Sequence, residues 1–165
     1  MASMTEFMQA LSQVTGWKQL NSPDSKGIYQ VSLEDDLDVV FFSLGDRLCL
    51  MRGVVVNLPD TKEEAQAKCQ DALSKQVAVL REHPSFLALE EAGTSGIPGQ
   101  PPAKEDALIC FRSVPLNLDR ESFLNEVQDW LNDLAFWKSI LASTENLGSE
   151  FSSMFNAGQF FTLKP

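Results

Sequence analysis

Residues 118–141 read LDRESFLNEVQDWLNDLAFWKSIL, and this stretch constrains the chain more than any other. Phe123, Val127, Trp130, Leu134, Trp137 and Leu141 recur at steps of four and three. On a helix that spacing stacks them along one face. Leu124 and Leu131 widen the stripe to core-facing width. Asp119 suits the N-cap, and Arg120, Glu121, Glu126, Asp129, Asn132 and Asp133 are expected on the wet side. Each large side chain contributes about 1.5–3 kcal/mol when buried, so the stripe supplies on the order of 10 kcal/mol before entropy. A helix of this kind must lie on a broad apolar surface, and its aromatic residues belong to the core.

The surface it needs is a sheet. Three short runs, Ile28–Val31, Val39–Phe42 and Leu48–Asn57, are separated by turn-rich connections that include LEDDLD at 33–38 and Gly45-Asp46. Short links of this type join antiparallel neighbours. Leu48, Leu50, Arg52, Val54 and Val56 fall on one face of the third run, and Cys49, Met51, Gly53 and Val55 on the other. A sheet with one wet face alternates apolar and polar residues. This one is apolar on both faces, so helices cover one and a further element, a second subunit or a partner covers the other.

Met4, Phe7, Met8, Leu11 and Val14 mark a first amphipathic helix, ended by Gly16; it docks on the core or forms part of a groove for an apolar peptide. A second helix starts near Asp60, an N-cap with Glu63 three residues on, and runs to about Glu82. Its stripe of Ala65, Cys69, Ala72, Leu73, Gln76, Val77 and Leu80 is small enough to admit another helix closely. His83 before Pro84 ends it, and the imidazole complements the helix dipole. Ser85–Leu89 and Asp106–Ser113 read as strands. Between them Gly93–Ala103, GTSGIPGQPPA, is a flexible excursion. Beyond Ala142 no period persists, and residues 143–165 read as a mobile tail with sticky aromatic points. The expected fold class is α+β, an antiparallel sheet of about five strands with three helices in the order α-β-β-β-α-β-β-α. It forms one domain over residues 1–142, followed by the tail.

Several function classes are disfavoured. A formal net charge of −10 repels phosphate backbones and anionic lipid, so neither nucleic acid nor membrane is an expected partner. Cys49, Cys69 and Cys110 are widely spaced in apolar runs, as small hydrophobes of a reducing compartment. The first residues carry no basic, apolar leader pattern and no run approaches a membrane span, so a cytoplasmic address is expected. No phosphate loop, dinucleotide fingerprint, HExxH or GxSxG motif occurs. The four carboxylates of 33–38 lack the register of a calcium loop, and His83, the single histidine, has no context for a triad. No catalytic residue, cofactor or metal is expected.

The element order, and most specifically Cys110–Leu141 (CFRSVPLNLDRESFLNEVQDWLNDLAFWKSIL), resembles the class I chaperones of bacterial type III secretion, the CesT/SycE-like family. The likeness spans roughly Met4 to Leu141. It rests on a strand, a Pro-Leu step at Pro115 and Leu116, a Leu-Asp helix start at Leu118 and Asp119, and a helix ending near Trp137. The excursion at 93–103 and the length of the tail depart from the family pattern.

The resemblance implies a homodimeric cytoplasmic chaperone of a Gram-negative bacterium. It would hold the N-terminal chaperone-binding segment of a secreted effector in extended form, soluble and competent for export. The secretion ATPase is a further candidate partner. On that implication, Phe7, Leu11, Val40, Phe42, Met51 and Val55 line a cargo groove. A one-residue shift of face would replace Val40 and Phe42 by Val39 and Phe41. Leu73, Val77, Leu80, Phe86 and Leu87 would form the dimer contact. The alternative is a binding or regulatory module of the same fold outside secretion.

Overall fold

The computed structural model describes residues 3–33, 37–95 and 102–142. The elements follow the expected order: α1 (Met4–Thr15), a 3-10 turn (Lys18–Asn21), β1 (Tyr29–Leu33), β2 (Leu37–Leu44), β3 (Leu48–Asn57), α2 (Lys62–Val79), β4 (Phe86–Glu90), β5 (Ala107–Pro115) and α3 (Arg120–Ala142). The five strands form one antiparallel sheet in the order β1-β2-β3-β5-β4. The fold is therefore α+β, with β1 and β4 at the edges and α2 and β4 inserted between two neighbouring strands. Residues 96–101 of the expected flexible excursion and the whole of the expected tail, 143–165, lie outside the described residues.

The described chain divides into two units, one holding residues 3–54 and 111–130, the other 55–110 and 131–142. The first unit is built on α1, β1, β2 and the first half of α3. A capping box starts α1: Ser3 Oγ accepts from the Glu6 amide, and the Ser3 amide donates to Glu6 Oε2 at 2.6 Å. Gly16 ends the helix with φ of 77°, a left-handed conformation that a Cβ would strain, and its amide donates to Ser12 O. Phe7 stacks on Phe123 with ring centroids 4.3 Å apart, which fastens α1 to α3. Phe41 meets Trp130 edge to face at 5.8 Å, which sets α3 on one face of β2. Asp119 caps α3, accepting from the Ser122 amide at 2.9 Å and from its hydroxyl at 2.7 Å.

The second unit holds α2, β4 and the second half of α3. Here three local expectations are corrected. Thr61, not Asp60, is the N-cap of α2, and its hydroxyl donates to Glu64 Oε2 at 2.7 Å. The helix ends at Val79, whose carbonyl accepts from the amides of Glu82 and His83. The chain then turns because the residue before Pro84 avoids helical geometry. Asp133, expected on the wet side, is buried at 3% exposure, because it accepts hydrogen bonds that a turn of the chain would otherwise leave unmade.

The expected stripe of α3 is the core. Phe123, Val127, Trp130, Leu131, Leu134, Trp137 and Leu141 have no exposed surface. Over its second half the helix is buried further round, since Phe136 and Ile140 are also below a tenth exposed. Among the described residues no helix is long and apolar enough to cross a membrane.

Candidate protein-binding surface

The second unit exposes several large apolar residues on α2 and β4. On α2, Ala72 and Gln76 face inward. The Gln76 side-chain amide reaches the Ser85 carbonyl across to the start of β4. One residue on from each, Leu73 and Val77 fall on the opposite, exposed side of the helix. Leu73 is 60% exposed and Val77 79%. Leu80 follows at the helix end, and Phe86 and Leu89 stand out from β4, each about half exposed. Scattered exposed leucines need no explanation, but five large apolar residues on two neighbouring elements do. Four of the five residues expected at a dimer contact, Leu73, Val77, Leu80 and Phe86, are thus exposed. The fifth, Leu87, is half-buried. Leu89, outside the expected set, is also exposed, but alternation along β4 puts it on the face opposite Phe86.

The turn between these two elements is held from below. His83 Nδ1 lies 2.8 Å from Asp133 Oδ1 on α3, and the Ser85 amide and hydroxyl both donate to Asp133 Oδ2. The His83 ring stacks on Phe136 at 3.7 Å. Asp133 therefore receives hydrogen bonds from both sides of Pro84 and sets the angle at which α2 gives way to β4. The Ser85 hydroxyl is committed to the carboxylate. This is an orienting network and not the serine-to-histidine link that activates a nucleophile.

The residues expected to line a cargo groove lie elsewhere. Phe7, Leu11, Val40, Phe42, Met51 and Val55 are all less than a tenth exposed, so none of them lines an open groove. They also do not share a face. The ladder pairs Val40 with Arg52 and Phe42 with Leu50, whereas Phe41 pairs with Met51 and Val39 with Gly53. Val40 and Phe42 therefore point away from Met51. The alternative pair Val39 and Phe41 does share the face of Met51, and both are fully buried.

Cys49 is buried, and burial pushes its thiol up to about 12, where it stays protonated and unreactive. Cys69, half-buried on α2, is also raised, by burial first and by the charge of Asp106 second. Among the described residues no three His, Cys, Asp or Glu side chains converge on a possible metal position. Neither a scan against models of protein families nor a search of curated proteins finds a match to this chain.

Proposed function

We propose that the chain is a homodimeric cytoplasmic chaperone that holds the N-terminal segment of a type III secretion effector in extended form. It acts by binding, without catalysis. The observation that carries the reading is the exposed apolar surface of α2 and β4. Val77 and Leu73 would each gain by leaving water, at about 25 cal/mol per Å² of apolar surface buried, and a second copy offers the same surface in return. The resemblance of Cys110–Leu141 to the CesT/SycE-like chaperones supplies the function that such a dimer would serve.

Cargo would add a strand to a sheet edge. Main-chain hydrogen bonds then supply affinity independent of the effector's sequence, and side-chain pockets supply selectivity. The outer edge of β1 in the first unit is one such position. The burial of all six expected groove residues favours a second reading, a binding or regulatory module of this fold that takes no extended cargo.

Affinity purification of the tagged chain from its native cells, followed by limited proteolysis and mass spectrometry, separates the two. Under the first reading one larger protein co-purifies and only its N-terminal segment is protected. A dimer that brings down no such protein would sink the chaperone reading and favour the module.

A further inference from the structure

The outward face of α2, in the second unit, is patterned by charge as well as by hydropathy. Ala72 and Gln76 mark the buried side of the helix. At about 100° per residue, Glu63, Ala67, Gln70, Ser74, Val77 and Arg81 fall within about 60° of the opposite direction. All six are exposed. Arg81 lies just past Val79, whose carbonyl still accepts from the amides of Glu82 and His83, so the helical path continues through it. Between Glu63 and Arg81 this row holds no charge. Other charges of the helix are satisfied within the chain: Lys75 pairs with Asp71 at 2.6 Å, and Glu64 accepts from the Thr61 hydroxyl at 2.7 Å. Glu63 and Arg81 form no ion pair with a described residue.

A second copy of α2, laid antiparallel on this row, matches it end for end. Glu63 and Arg81 are 18 residues apart (81 minus 63), which is about five turns and about 27 Å of helix. With a two-fold axis level with Ala72, midway between them, Glu63 of each copy faces Arg81 of the other. Val77 then faces Ala67 of the second copy, and Gln70 faces Ser74, so large side chains meet small ones. At a shallow crossing of about 20° the helix ends diverge by only about 5 Å, a gap that Arg and Glu side chains bridge. A parallel pairing would set Glu63 against Glu63 and Arg81 against Arg81, and like charges so placed repel. Self-complementarity about a midpoint is what a two-fold contact requires, and it selects a second copy over a foreign helix.

We propose that α2 pairs antiparallel with α2 of a second copy about a two-fold axis level with Ala72, and that Glu63 and Arg81 set this register and exclude the parallel one. The inference rests on the dimer reading of the α2 and β4 surface and adds its direction and its specificity residues. Apolar burial around Val77 supplies the adhesion. The ion pairs, exposed and individually weak, supply the choice of partner and orientation.

The test is sedimentation equilibrium of the full-length chain at low salt, where screening is weakest. Glu63→Arg and Arg81→Glu each turn two ion pairs into two like-charge contacts, and each should raise the dimer Kd about tenfold. The double variant Glu63→Arg with Arg81→Glu restores opposite charges across an antiparallel contact, and its Kd should return to within about threefold of the unaltered chain. Each charge also complements the helix dipole at its own end, but those losses add in the double variant, so rescue identifies a contact across the axis. Circular dichroism confirms that each variant is folded. A dimer whose Kd is unchanged by either reversal, or whose double variant is as weak as the singles, would overturn the register and leave the contact surface standing. An unaltered chain that stays monomeric at every concentration reached would overturn both.

Discussion

Asp133 shows how a single residue can follow the period of its helix against its own chemistry. It lies three residues after Trp130 and four before Trp137, so its position on α3 is inside the stripe. A carboxylate is tolerated there because it accepts three hydrogen bonds, one from His83 and two from Ser85. Asp133→Asn keeps the shape and loses part of that acceptance. We expect a loss of about 2–3 kcal/mol, in the range of hydrogen bonds to charged groups, read as a lower urea midpoint. Asp129→Asn, an exposed change on the same helix, should stay within about 0.5 kcal/mol.

Asp119 offers a pH-dependent counterpart. The Ser122 amide and hydroxyl hold its carboxyl below the ordinary 3.8. A group with a lowered native pKa adds stability above its unfolded value, and that addition is lost as pH falls through the native value. Asp119→Asn retains the capping geometry without the titrating charge. Its stability deficit should therefore be constant well above the unfolded carboxylate value and shrink as pH falls below it. A deficit that did not shrink on acidification would assign the effect to geometry instead of charge.

The three helices differ in how plainly their patterns read. The α3 stripe has large residues at every step, and all six fall in the core as the spacing requires. In α2 the stripe mixes small, polar and medium residues, and the same spacing leaves its orientation open. Ala72 and Gln76 turn inward while Leu73 and Val77 turn outward. Polar Gln76 inside and apolar Val77 outside run against hydropathy. The reason is local: Gln76 bonds the Ser85 carbonyl, and the small Ala72 allows close packing. Under the proposed dimer, Val77→Arg should leave stability within about 0.5 kcal/mol, since the residue is exposed. It should convert dimer to monomer by light scattering at micromolar concentration. An unchanged mass would exclude α2 as the contact. Leu11→Asp behaves differently, because Leu11 has no exposed surface and an unpaired charge there unfolds the unit.

At the scale of the whole molecule, the sequence by itself determined the fold class, the order of all eight helices and strands, and the core face of α3. These follow from period, turn residues and caps, which are short-range properties of the chain. The two-sided apolar character of β2 was legible for the same reason: Val39 to Phe42 are buried in succession. The pairing of faces was not legible. Whether Val40 or Phe41 shares a side with Met51 depends on ladder register, and a slip of one residue exchanges the faces without altering either strand's own pattern. The insertion of β5 between β3 and β4 was likewise decided by pairing between distant segments. So was the burial of Asp133, whose acceptors are satisfied from 48 and 50 residues away. The sequence supplies each element's hydrophobic face, but only tertiary structure chooses which face finds a neighbour, because that choice is made by long-range packing and hydrogen bonding.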